Sequence, residues 1–173
     1  MTCVVMCAIA AVTDVRAFRI PNWLTFSGIV AGLVLNPLLL GIARGGAGFK
    51  IGLVSAIAGA LLLLVVFGIL GAVRFVGMGD VKLMTAVGAL LGFPWAMWAL
   101  AYVAIAGGVL AVIYALVRGS LGKVLGNIGR VTRGVVKREK RDVELHRIPY
   151  ALAILVGASW AAAIKYFPAL RIP

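Results

Sequence analysis

The chain has 173 residues, 64% of them hydrophobic, a mean hydropathy of +1.13 and a net charge of +12. Soluble domains lie nearer half apolar, so this composition excludes an ordinary soluble enzyme and predicts an all-α integral membrane protein, one membrane-embedded domain over residues 1–173. The basic excess falls in loops between apolar runs, where membrane topology accounts for it, so no nucleic-acid partner is inferred from it.

Residues 1–13 are apolar and uncharged and predict a first span ending near Asp14. No basic stretch precedes them, so a signal peptide is not the expectation. A span needs ~20 residues, so this one either runs on through 15–18 or has sequence upstream of it. Cys3 and Cys7 lie within it and read as small hydrophobes on one helix face; their spacing matches no zinc pattern. A polar turn follows over 14–22, with Pro21 placed to open the next helix and Asn22 to cap it. The second span is expected over 22–42, bent or ended by Asn36-Pro37, then a Gly-rich loop over 44–50. Residues 51–73 are an uncharged run closed by Arg74, the third span. Residues 81–93 give a short fourth span ending at Phe93-Pro94-Trp95, 95–117 a fifth, and 148–164 a sixth. The expected architecture is therefore a bundle of about six transmembrane helices, with small residues in every span to permit close packing in lipid.

Between spans five and six lies a different stretch, 118–147. Leu121, Val124, Leu125, Ile128, Val131 and Val135 recur at helical spacing, with Lys123, Arg130, Arg133, Lys137 and Arg138 around them. This predicts a basic amphipathic helix on the membrane surface; for 137–147 a solvated charged loop competes with it. His146, the one histidine, lies here, so His-based metal sites and Ser-His-Asp machinery are poorly supplied and no metal or cofactor is expected.

With six spans, one side carries Arg16, Arg19, Arg74, Lys82 and nine Lys/Arg from Arg118 to Arg147, thirteen in all; the other carries Arg44, Lys50, Lys165 and Arg171. The basic side faces the cytoplasm. Asp14 ends the first span and Asp80 begins the fourth, so both are expected at one depth, near the cytoplasmic face.

Those two acids are the informative ones. Of five acidic residues, Glu139, Asp142 and Glu144 share the polar stretch, which leaves Asp14 and Asp80 at edges of apolar runs. A charge at such an edge is costly unless compensated, which makes it a functional candidate. Asp80 stands in Gly77-Met78-Gly79-Asp80-Val81-Lys82-Leu83. An aqueous Asp has a pKa of about 3.9, but two brought together in a poorly hydrated site cannot both ionise easily, and the pair then titrates as a unit. Such a pair activates a water with one member and polarises a carbonyl with the other, the chemistry of aspartic proteases. Gly77 and Gly79 fit this reading by allowing close approach, unusual backbone angles and room for an extended peptide. Pattern alone supports two structural readings equally well: Asp80 as N-cap of the fourth helix, and Asp14 capping its turn or pairing with Arg16. A proton- or ion-coupled transporter also uses buried carboxylates, although the clearest spans carry no central charge or interruption. A non-catalytic scaffold is the third class.

Two stretches resemble a known family. The segment from Asp14 to Thr25, DVRAFRIPNWLT, is similar to the first-aspartate region of type IV prepilin peptidases, and Gly77–Leu83 is similar to their G-x-G-D-x-K-L motif. Ile148-Pro149-Tyr150 resembles a P-Y-G-x-A segment of the short Tad/Cpa-type members, with Ala151 in place of the glycine. The resemblance implies an inner-membrane aspartic endopeptidase with Asp14 and Asp80 catalytic, cutting the basic leader from a single-span prepilin, of Flp type, at the cytoplasmic face. Lys82, Arg16 and Arg19 become candidates for orienting substrate, although interface snorkelling for Lys82 and topology for the arginines are the plainer readings. Larger members carry a region with paired C-x-x-C motifs and N-methylate the new terminus; without those cysteines, peptidase activity alone is expected. Signal-peptide-peptidase-type enzymes share G-x-G-D but pair it with Tyr-Asp, where Thr13 stands here, and with Pro-Ala-Leu, found here only as Pro168-Ala169-Leu170 on the opposite face.

Overall fold

A computed structural model describes residues 2–17, 20–73, 75–117 and 150–166. They form α1 (Thr2–Ala17), α2 (Asn22–Ala72), α3 (Met78–Leu91), α4 (Trp95–Val117) and α5 (Ala151–Tyr166). The expected amphipathic helix over 118–147, Arg19, Arg74, His146 and Pro168-Ala169-Leu170 lie outside the described residues. Among the described residues, two helices are long and apolar enough to cross a membrane, Asn22–Ala72 and Trp95–Ile113; six spans are not shown.

The first span does run on past Asp14, to Ala17. The second and third meet differently from expectation. Residues 44–50 are helical rather than a loop, and Asn36-Pro37 does not end the helix; Pro37 lies inside it. The one break is Gly45, at φ 68° and ψ −157°. Only glycine takes that angle without a Cβ penalty, so the chain reverses there and not at the proline. Gly41 then faces Phe49, Gly48 faces Leu40, and Gly52 faces Asn36 and Pro37. The 51-residue helix is thus an antiparallel hairpin of two arms, each longer than the ~20 residues a bilayer crossing takes.

α3 is the buried centre. Every residue from Leu83 to Leu91 is buried, as expected of a helix apolar on all sides. In lipid there is no water to expel from between helices, so association relies on close packing and on small residues that allow it. The arms of α2 supply these: Gly32 lies on the Ala89–Leu90 backbone, and Gly59 lies on Gly88. Outside, Val30, Leu61, Trp98, Val109 and Trp160 are exposed. An outer surface this apolar is a lipid-facing one.

The end of α3 away from Asp80 is fixed by polar groups. A helix leaves its last four carbonyls without partners. Asn36 Nδ2 donates to the Ala89 and Leu90 carbonyls at 2.6 and 3.1 Å, and Lys165 Nζ to that of Leu91 at 2.8 Å. Gly92, at φ 70°, ends the helix. Ser55 then holds Phe93 twice, its Oγ donating to the Phe93 carbonyl at 2.7 Å and its own carbonyl accepting from the Phe93 N–H at 2.9 Å.

Candidate active site

The near end of α3 carries the conspicuous acid. Gly77 is the N-cap, in extended backbone at φ −68° and ψ 147°, and its carbonyl accepts from the Asp80 and Val81 N–H groups at 3.0 and 3.2 Å. Asp80 is therefore not the N-cap that sequence pattern allowed. It is the third helical residue, whose side chain reaches back toward the cap, and the Gly77 N–H bonds its carboxylate. The residue is 9% exposed, and among the described residues Oδ1 has no hydrogen-bond partner. A buried carboxylate oxygen left this way costs about 1–3 kcal/mol or more.

Asp14 lies in the last turns of α1, half-buried. Its negative charge acts on Asp80, so two carboxylates distant in sequence share one locality. Asp80 stands ahead of the apolar run 81–93. Burial pushes its carboxyl up to about 7, the charge of Asp14 adds to that, and the Gly77 N–H pulls the other way. Near neutral pH Asp80 is thus poised between its protonated and ionised forms.

Two further contacts lock the same segments together. Ile20 packs on Gly79, where an added Cβ would stand 3.3 Å from the Ile20 Cβ. Lys82 Nζ donates to Asn22 Oδ1 at 3.0 Å. The segment after Asp14 and the segment around Asp80 are therefore one unit, joined by charge, apolar contact and hydrogen bond.

This geometry revises several expectations. Gly77 is extended as any residue can be, and Gly79 has no positive φ, so unusual backbone angles are not what these positions need. Gly79 makes room for Ile20 rather than for an extended peptide. At Gly77 a Cβ would stand 3.2 Å from Asp80 Oδ2, so its bare backbone leaves the carboxylate its place. Pro21, not Asn22, occupies the N-cap of α2, and Asn22 instead receives Lys82. That bond ties α3 to α2, a role in neither reading weighed for Lys82. Arg16 is exposed in the last turn of α1, where a cation suits the helix end. Cys3 and Cys7 are buried, as expected of small hydrophobes. Among the described residues, no three His, Cys, Asp or Glu side chains converge as a metal site requires.

Sequence reasoning gave Tyr150 no chemical role, yet it belongs to this neighbourhood. It opens α5 with its ring tilted 55° to that of buried Phe67, centroids 6.4 Å apart, and the charge of Asp80 reaches it. Its one signal in the sequence was the Pro149-Tyr150 pair at the mouth of an apolar run.

Comparison with known proteins adds one match. A family model described as the type IV leader peptidase family fits residues 1–112, a stretch that holds both aspartates and both motifs. No curated protein and no solved structure matches the chain.

Proposed function

The chain belongs to the type IV leader peptidase family, and from that membership we propose that it is an aspartic endopeptidase of the bacterial inner membrane, cutting the basic leader from a single-span, Flp-type prepilin at the cytoplasmic face. One observation carries the reading: a buried carboxylate, one of whose oxygens has no partner among the described residues, shares its locality with a second carboxylate from a distant motif. Asp80, the member that keeps its proton, polarises the scissile carbonyl. Asp14 takes a proton from the attacking water. As the C–N bond breaks, that proton passes to the leaving amine, and the pair is restored. The lipid-facing exterior suits a substrate whose own apolar helix lies in the same bilayer.

The test is co-expression with a candidate prepilin, scored as a gel shift on leader loss. Asp14→Asn and Asp80→Asn should each abolish the shift while the protein still folds and inserts. Cleavage by either variant near the wild-type rate removes the catalytic pair. Cleavage should also survive EDTA; loss of activity that zinc restores would replace the aspartic mechanism with a metal-dependent one.

A further inference from the structure

The third polar side chain of this neighbourhood has a position that packing explains only in part. Phe67 and Gly71 stand about one turn apart on the second arm of α2, about 6 Å along the helix. At Gly71 a Cβ would lie 2.9 Å from Val81 Cγ2, so this turn rests on the residue next to Asp80. Phe67, one turn away, carries the Tyr150 ring. On its other side Tyr150 leans on α4, where a Cβ at Gly107 would stand 2.7 Å from the phenolic oxygen. Two helices thus flank the ring, and a glycine leaves space for its hydroxyl. The charge of Asp80 acts on Tyr150, whose ring stands one helix turn from the Gly71–Val81 contact. Asp80 offers the space beside it an oxygen with no partner among the described residues.

A peptide bond entering this space needs a donor at its carbonyl oxygen. A phenol supplies one and, unlike a second acid, adds no negative charge beside Asp14 and Asp80. We propose that Tyr150 donates its O–H to the carbonyl oxygen of the scissile peptide bond as water adds to the carbon, an inference that rests on the peptidase reading above. The carbonyl π pair moves onto that oxygen, which takes the proton of the protonated aspartic acid. The other carboxylate takes the proton that the water gives up. Tyr150 holds the oxygen throughout and keeps its own proton. A donor whose bond strengthens as charge builds on the oxygen raises kcat more than it lowers KM.

Tyr150→Phe keeps the ring against Phe67 and removes the donor. In a leader-peptide cleavage assay on purified protein, kcat should fall about a hundredfold with KM within a few-fold of wild type and melting unchanged. The split between kcat and KM separates the role from plain packing, which would act on folding first. A Phe variant with wild-type kcat, one changed only in KM, or one that loses its fold with its activity would each overturn the proposal. Asp80→Asn in the same assay reads the parent hypothesis separately. If it is inactive while Tyr150→Phe is normal, only the tyrosine role fails; if it cleaves normally, the peptidase reading fails.

Discussion

Asp80 shows how little a single side chain needs to become chemically distinct. Its place at the third residue of a helix is ordinary; burial and a second acid make it unusual. With its carboxyl pushed up to about 7, it is protonated below that pH and ionised above it. A pair that works with one shared proton therefore loses activity as pH rises through about 7. The alkaline limb of kcat/KM against pH on a leader peptide should fall there, and a rate flat to pH 9 would contradict the assignment. Gly79 offers a graded test. Gly79→Ala presses on Ile20 at 3.3 Å, a contact that yields by a few tenths of an ångström. Cleavage should drop several-fold, Gly79→Val should nearly abolish it, and Ile20→Ala should partly restore the alanine variant. Both acids were legible in the sequence because a carboxylate at the edge of an apolar run stands out. The use of Gly79 was not, because a glycine's partner across a helix contact leaves no trace in local pattern.

Among the elements, the apolar runs marked most helices well, α4 to the residue at both ends. The reversal within α2 falls at Gly45, inside the Gly-rich stretch 44–50 where the sequence placed the turn, while Pro37 does not end the first arm. Proline is the stronger local breaker, but its cost is a missing N–H and a crowded carbonyl, which a helix tolerates within lipid when neighbours compensate. The reversal itself uses Gly45, at a positive φ that glycine takes without penalty. The polar clamps on the far end of α3 were hidden, since Asn36 and Lys165 lie far from Leu91 in sequence. They have a measurable weight. Asn36→Leu strips the Ala89 and Leu90 carbonyls of their donor. That should cost about 1–3 kcal/mol, read as a lower melting temperature in detergent. Unchanged melting would mean another donor replaces Asn36.

At the level of the whole molecule, composition and charge pattern placed the chain in a membrane, and a lipid-facing exterior around a buried α3 agrees with that. The side of the bilayer is a separate question. Cysteines introduced at positions 14 and 80 should be labelled by an impermeant reagent only after the cytoplasmic side is opened, and labelling of one from each side would end the shared-site model. The contact of Gly59 with Gly88 brings two helix backbones together with no side chain between them. That seam is a closed door: neither a lipid tail nor a guest helix can wedge α2 from α3 there. If a single-span substrate enters sideways from the bilayer, as proposed above, that stretch of the α2–α3 seam is not its way in.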